Sequence, residues 1–513
     1  MRIKAVIAVY LASVLTGSSA TVDFAKNGQP SRRDDTYDFI IVGGGISGLV
    51  VANRLTEDRV TSVLVIERGD FDNKPEAIIP YYGNALDTSV LMRVPSAPDE
   101  KLGNLTYSVA AAAVVGGGSI VNGMGYNRGS KTDYDGWEAL GNPGWGWDGL
   151  FPYFLKSTTF IPPSPEATVQ WNITWDASAY GNGPLHLHIP NFQYPDVATF
   201  WNAFQSEPNL VTGRGSNLGA TTVNATRTNL HLLRGHTATE ILFAPGKQLR
   251  ANGIRIVSRL DNTTHNVYAK KEVILAAGAL MTPQLLQATQ RAVLAGQLNS
   301  SSSAITMWAV SGSGGSAASL YKPLSRGTVT LNPTDPNGLP IVTYNTFMNP
   351  VDSENVVAIF RRLRAFWQSS PLARLGPSEV APGLQFQTDD EILTELTTNH
   401  ALFRPTLAHP SCTCAMMPEH LGGCVSPDLE VYGVRNLRIV DASIMPIIPA
   451  GGLQGTVYAV AEKAADLIKK PVDRMMSAKC FLVFNGQDSH HSTRHRLLQN
   501  EYPETLRNVS DLS

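Results

Sequence analysis

The chain has 513 residues, more than a single core usually organises, so two lobes are expected. Hydrophobic residues make up 43% and charged residues 16%, the balance of a globular protein. The formal net charge is −2 and no long basic run occurs, which removes nucleic acid from the expected partners.

The chain opens like a secretory signal. Arg2 and Lys4 supply charge, Ala5 to Leu15 is a short apolar run, and Ser18-Ser19-Ala20 offers small residues for cleavage, giving a signal peptide over 1–20. That run is too short to span a bilayer comfortably, and no later stretch is longer, so no membrane span is expected. Six N-x-[ST] sequons follow, at Asn104, Asn172, Asn224, Asn262, Asn299 and Asn508, and N-glycans fit an exported chain. The four cysteines, Cys412, Cys414, Cys424 and Cys480, allow one or two bridges without fixing the pairing. No His/Cys spacing suits zinc, and no metal is assigned.

Tyr37 to Arg68 is the organising stretch. Asp38 to Val42 has strand length, and Gly43, Gly45 and Gly48 form G-x-G-x-x-G. Leu49 to Leu55 continues at helical spacing, Val63 to Ile66 is a second strand, and Glu67 ends it. In such a unit the first glycine makes the turn, the second lets backbone approach a pyrophosphate, and the third packs helix on sheet. The helix N-terminus then faces phosphate, and the acid accepts from a ribose hydroxyl. Strand, glycines, helix, second strand and acid in register predict dinucleotide binding.

Residues 71–108 look irregular. The Ala111 to Gly129 stretch then offers Gly116-Gly117-Gly118-Ser119 and Asn122, with backbone free to approach a phosphate or a flat ring. Trp137, Trp145 and Trp147 read as packing residues rather than a ligand box. Residues 155–225 suggest a separate lobe. Strands are expected at Leu230 to Leu233, Ile241 to Phe243, Gly253 to Val257 and Glu272 to Leu275. Thr282 reads as a helix N-cap with Pro283 at the first helical position. The Ser/Gly-rich stretch 289–319 reads as linker. A strand at Gly327 to Leu331 and helices over Asp352 to Trp367 and Gly455 to Ile468 follow; the tail, 471–513, carries no clear pattern.

Together these blocks resemble the glucose–methanol–choline (GMC) family of flavin oxidoreductases, over roughly residues 36–288 and 320–470. The specific matches are Val115 to Gly129 with Asp135, Ala276 to Gln287, His409-Pro410-Ser411-Cys412-Thr413, and Val431 to Pro446. They are most similar to fungal aryl-alcohol and glucose oxidases and to polyketide-pathway members, including versicolorin B synthase. The resemblance implies an α/β fold: a Rossmann-like FAD-binding domain from 36–154, 226–290 and 403–470, and a discontinuous α+β substrate-binding domain from 155–225 and 320–402.

It implies FAD as cofactor, with Gly43, Gly45, Gly48 and Glu67 at the ADP half and Gly117, Ser119, Asn122 and Gly123 flanking the flavin. Ala238 would offer backbone to the adenine, and Asp441 and Ala442 would lie near the pyrophosphate and ribityl chain. His409 would be the active-site base for an alcohol, or a polyketide-type substrate, with oxygen or another acceptor reoxidising the flavin. A secreted alcohol oxidoreductase is the leading expectation. A non-redox FAD-binding cyclase or dehydratase, or an inactive shortened member, is the alternative.

Three departures bear on that expectation. In Pro449 to Gly455, Gly452 stands where the family carries a second His or Asn, a group that would hold the substrate oxygen. After Gln287 the family pattern S-G-I-G gives way to Ala288-Thr289-Gln290-Arg291, so the fold is shortened after residue 288. The tail after Lys470 looks appended.

Overall fold

The computed structural model describes residues 36–79, 88–191, 193, 197–206, 216–218, 227–289, 306–310, 316–399 and 402–470. The signal segment, Asn224, Asn299, Asn508, Cys480 and the tail lie outside these residues. The described residues as far as Lys469 belong to one compact unit.

The central sheet is assembled from distant parts of the chain. We label its strands β1 (Thr36–Val42), β2 (Val63–Ile66), β3 (Leu230–Leu233), β4 (His236–Phe243), β5 (Ala251–Ser258), β6 (Thr264–Leu275) and β7 (Leu437–Ile439). Its order is β4-β5-β6-β1-β2-β3, with β7 also on β6. β6 serves two partners along one edge. Its first half pairs antiparallel with β5, and Val273 to Leu275 pair parallel with β7. β1 lies parallel between β6 and β2, with Val42 opposite both Leu275 and Ile66. Strands buried on both faces need continuous apolar sequence. Phe39 to Val42, Val63 to Ile66 and Val273 to Leu275 meet that need, and all are buried.

Three helices cover this sheet: α1 (Ile46–Leu55), α2 (Gly278–Thr289) and α3 (Leu453–Lys469). The inward face of α3 is small, with Ala459, Ala461, Ala464 and Ala465 fully buried, and it packs on α1 and on the helix Trp147–Ser157. Glu462, also buried, binds Arg54 of α1 through two hydrogen bonds of 2.7 and 2.8 Å and pairs with Lys156 at 3.4 Å. Trp137 and Trp145 are fully buried, each indole donating to a backbone oxygen, that of Ile447 or of Pro427.

Outside the central sheet lies a four-stranded sheet in the order Gly125–Tyr126, Ser216–Leu218, Leu185–His188, Thr158–Ile161. Two further antiparallel pairs are Leu91–Pro95 with Ser108–Ala112 and Thr328–Thr330 with Ile341–Thr343. The long helix Pro350–Trp367 includes the expected Asp352 to Trp367 span.

Two expectations are corrected. The stretch 289–319 is not all linker: Thr306–Val310 pairs antiparallel with Ser316–Leu320. That pairing is made across strands, so a composition of Ser and Gly does not reveal it. Nor does α2 begin at Thr282. It begins at Gly278, with Pro283 inside, and Thr282 turns its hydroxyl to Asp441 Oδ2 at 2.6 Å instead of capping. The acceptor that captures it lies far along the chain.

The cysteine pairing left open by the sequence is Cys414 with Cys424, at a Cα separation of 5.0 Å; Cys412 is free.

Candidate active site

A cavity of about 1300 Å³ opens along the C-terminal ends of β1, β2 and β6. That exceeds the ~300–1,000 Å³ usual for one small-molecule pocket and leaves room for a dinucleotide and a substrate together. Its position outside the carboxyl ends of parallel strands is where open α/β sheets bind ligands.

The glycines of the first turn do two different jobs. Gly43 has φ +110°, and a methyl there would strike the Ala276 carbonyl of the neighbouring strand. A methyl on Gly48 would strike the Gly43 carbonyl, so helix and turn are in backbone contact; Gly48 itself does not line the cavity. Gly45 differs. A methyl there would find only the Gly117 Cα, at 3.9 Å, and its φ of −82° suits any residue. What a side chain at Gly45 would take is cavity space. Gly123 is similar, with nothing within 4 Å.

Glu67 is buried at the end of β2. Its two oxygens accept from the backbone N–H groups of Gly44 and Gly69, each at 2.7 Å. A carboxylate has about four acceptor positions, so each oxygen keeps one for a ligand hydroxyl. Burial raises its pKa above the ordinary value, against those two donors.

The second glycine loop faces the first. Gly116 and Gly117 have φ of +101° and +56°, and a methyl on Gly117 would lie 2.8 Å from the Gly45 Cα. Ser119 points away from the cavity and donates to the Gly116 carbonyl at 2.9 Å. Asn122 lines the cavity and clips its own loop, donating to Ser119 O at 2.7 Å and accepting from Met124 N at 2.5 Å. Asp135 sits away from the cavity, where it accepts from the Trp147 N–H and pairs with Lys131.

Ala238 also lines the cavity, on β4, beside a register irregularity between Ala238 and Glu240. Asp441 and Ala442 line the cavity just after β7. The Asp441 carboxylate is fully engaged by the chain. Oδ2 accepts from Gly278 N at 2.9 Å and from Thr282 Oγ1, and Oδ1 accepts from Ser443 N at 2.9 Å and from Ser443 Oγ. Burial raises its pKa against all four donors.

His409 stands on the same wall system. Its side chain is open to the cavity but crowded by protein, and lost hydration lowers its pKa below the ordinary imidazole value. Its loop is bent by two left-handed non-glycine residues, Ala408 at φ +58° and Cys412 at φ +66°, a conformation that costs about 1–2 kcal/mol each. The loop is tied down where it leaves. Cys412 N, Cys414 N and Met416 N donate to the carbonyls of Ala442, Ser443 and Ile444 at 3.1, 2.9 and 2.8 Å. The histidine loop and the Asp441 segment are thus one ladder.

Gly452 also lines the cavity, and its N–H donates to Asn127 Oδ1 at 2.5 Å. Sequence reasoning passed over Asn127, Arg128 and Tyr321, all on the cavity wall. Asn127 and Arg128 lie inside the second glycine signature and could have been singled out there; no motif surrounds Tyr321.

The chain matches the GMC oxidoreductase family over residues 37–205 and 210–289 and again over 323–461. This chain belongs to the GMC oxidoreductase family. This GMC oxidoreductase is 29% identical to the dehydrogenase xptC of Emericella nidulans and 30% identical to the glucose oxidase-like protein fsoC of Humicola fuscoatra. The alignments cover 84% and 85% of this chain and 93% and 96% of those proteins. They run over 583 and 568 positions, longer than this 513-residue GMC oxidoreductase itself, so the relatives carry residues that it lacks.

Among solved structures, an FAD-dependent oxidoreductase from Chaetomium thermophilum matches with a TM-score of 0.76 and 32% identity, over 84% of this chain and 99% of that one. A fungal aryl-alcohol oxidase matches with 0.72 and 27%, over 85% and 99%. The cofactor of this GMC oxidoreductase is FAD, and the cavity fits it: two glycine loops meet backbone to backbone, and Gly45 keeps open space that the protein itself does not need. Among the described residues no cluster of His, Cys, Asp or Glu could hold a metal, and no helix is long and apolar enough to cross a membrane.

Proposed function

We propose that this GMC oxidoreductase oxidises the CH–OH group of a small alcohol, aromatic or polyketide-type, of the kind secondary metabolism produces. One observation carries the reading: His409 stands on the cavity that the dinucleotide turn also lines, in surroundings that favour its neutral form. A neutral imidazole is a competent base near neutral pH. Bound FAD supplies the two-electron acceptor for the hydride released from carbon. His409 takes the hydroxyl proton, the C–O bond becomes C=O, and the chain's part is to orient the alcohol and exclude water. Gly43, Gly45 and Glu67 hold the ADP half, with Gly48 packing the helix against their turn, Ala238 offers backbone at the adenine, and Asp441 and Ala442 lie by the pyrophosphate and ribityl chain. Gly117, Ser119, Asn122 and Gly123 shape the loop at the flavin. Oxygen or another acceptor takes the electrons afterwards.

We also place the protein in the secretory pathway as a glycoprotein. The signal-like residues 1–20 support this, and the described sequons Asn104, Asn172 and Asn262 are all exposed.

The experiment is an anaerobic titration of the FAD-loaded protein with primary and aryl alcohols, followed by visible absorption. Bleaching of the flavin bands is expected. Bands that persist with every alcohol, while a polyketide substrate is cyclised, would replace this reading with non-redox chemistry.

A further inference from the structure

The segment from Pro449 to Gly455 has no side chain at Gly451, Gly452 or Gly455, and the structure explains why. Methyl groups at these positions would meet Asn127 and Arg128, which follow directly on the strand Gly125–Tyr126. At Gly452 the obstacle is Asn127 Oδ1, at 2.8 Å. At Gly455 it is the Asn127 carbonyl, at 2.7 Å, and at Gly451 the Arg128 carbonyl, at 3.0 Å. Asn127 therefore occupies the space into which a side chain at 452 would grow.

The amide of Asn127 is oriented by this contact. Its oxygen faces the Gly452 N–H, so its nitrogen faces the other way. Among the described residues no acceptor meets Nδ2, and Asn127 is only half-buried, on the cavity wall. It lies where the second glycine signature leaves the dinucleotide turn. Gly125–Tyr126 just before it joins the four-stranded sheet, and Arg128 just after it donates to Ala179 O at 2.6 Å. This part of the cavity wall is built with the four-stranded sheet rather than the central one.

Resting on the alcohol reading above, we propose that Asn127 is a substrate-binding residue: its Nδ2 donates a hydrogen bond to the substrate oxygen in the cavity shared with His409. The pair then divides the work. The amide donates to the alcohol oxygen, and the neutral imidazole accepts the hydroxyl proton. As the carbonyl forms, the donor stays matched to an oxygen that still accepts. No side chain at 452 is needed, and none fits while Asn127 is there.

The test uses the FAD-loaded protein and four variants: Asn127→Leu, Asn127→Gly, Gly452→Asn and the double variant N127G/G452N. Benzaldehyde, an acceptor without a hydroxyl, and ethylbenzene, which cannot accept, are titrated against the oxidised flavin spectrum. A net hydrogen bond contributes about 0.5–1.5 kcal/mol, so Asn127→Leu is expected to weaken benzaldehyde roughly 2- to 10-fold and leave ethylbenzene unchanged. Gly452→Asn alone displaces the Asn127 amide and should weaken benzaldehyde as well. The double variant, which returns a donor from the other side of the gap, should recover part of the loss; a packing role would not be rescued this way.

Equal losses for both ligands, a double variant no better than Asn127→Gly, or a changed flavin spectrum or FAD affinity in Asn127→Leu would each overturn the assignment. The alcohol reading fails separately, if the wild-type protein binds benzaldehyde yet is not reduced by benzyl alcohol.

Discussion

Thr413 donates its hydroxyl to the Ala279 carbonyl at 2.7 Å, across 134 positions of sequence. The reason lies in α2. An α-helical carbonyl accepts from the N–H four residues on, and four residues after Ala279 is Pro283, which has none. The carbonyl is buried, so a partner must come from outside the helix. Thr413, four residues after His409, supplies it and anchors the histidine loop to the helix beside the cavity. Thr413→Val keeps the shape and leaves the carbonyl unpaired, a loss of about 1–3 kcal/mol. Adding Pro283→Ala returns an N–H to the helix. Denaturant unfolding of both single variants and the double should show the Pro283→Ala change recovering stability only when Thr413 is absent. Independent, additive effects would contradict this account.

Gly45 and Gly48 lie three residues apart and should fail differently. Gly48→Ala drives a methyl into the Gly43 carbonyl, so the apo protein is expected to lose stability by more than the ~0.5 kcal/mol typical of surface changes. Gly45→Ala adds a methyl that meets only the Gly117 Cα, at an ordinary contact distance, so the apo protein should unfold with a nearly unchanged midpoint while flavin occupancy falls. Thermal unfolding with and without FAD, beside absorbance of the purified protein, separates the two.

The parts legible in the sequence were those whose physics is local. β1, α1 and β2 follow from apolar runs separated by a glycine turn, and β3 was found at Leu230–Leu233 because its apolar run is short and bounded. The start of α2 was not legible. Asp441 takes both the Gly278 N–H and the Thr282 hydroxyl, and nothing near Thr282 announces a carboxylate 159 residues away. Asn127 was missed for a related reason. Its meaning depends on Gly452, and the sequence marks Gly452 only as a missing side chain, without saying what fills the space. The hairpin Thr306–Val310 with Ser316–Leu320 falls in the same class, since its strands carry little apolar alternation of their own.

Cys414 and Cys424 close a loop of 10 residues' separation beside the histidine ladder. By loop entropy a bridge of that span contributes about 2–3 kcal/mol. Cys424→Ser, or reduction of the native protein, is expected to lower the unfolding midpoint accordingly. A free-thiol count should show one fewer disulfide in Cys424→Ser than in the wild type.

Lys322 and Asp133 form a salt bridge in which both side chains are buried, at 7% and 1% exposure. Asp133 also accepts from the N–H groups of Ser130 and Ala450, at 2.7 and 3.1 Å, so it joins the end of the second glycine signature to the segment leading to Gly452. Removing one partner of a buried pair typically costs about 3–5 kcal/mol, because the remaining charge is stranded. Lys322→Met should therefore destabilise more than the double change Lys322→Met with Asp133→Asn. Chemical denaturation of the two proteins checks the order; a less stable double variant would mean that the charge on Asp133 matters more than its pairing.

His409 sets the expected pH dependence. Burial lowers its pKa below the unperturbed value of about 6.5. The neutral base is then the main form at pH 6.5 and above, and kcat/KM should be level there and fall as the pH drops through the lowered pKa. Stability follows the same sign. Between the folded pKa and about 6.5 the unfolded chain holds more protons than the folded one, so acidification through that window favours unfolding. His409→Gln should lower kcat/KM by about 10²–10⁴, the usual worth of a positioned base, and the remaining activity should lose this acidic limb. Flavin occupancy measured alongside distinguishes loss of the base from loss of the site. If the limb persists in the variant with full occupancy, another group takes the proton.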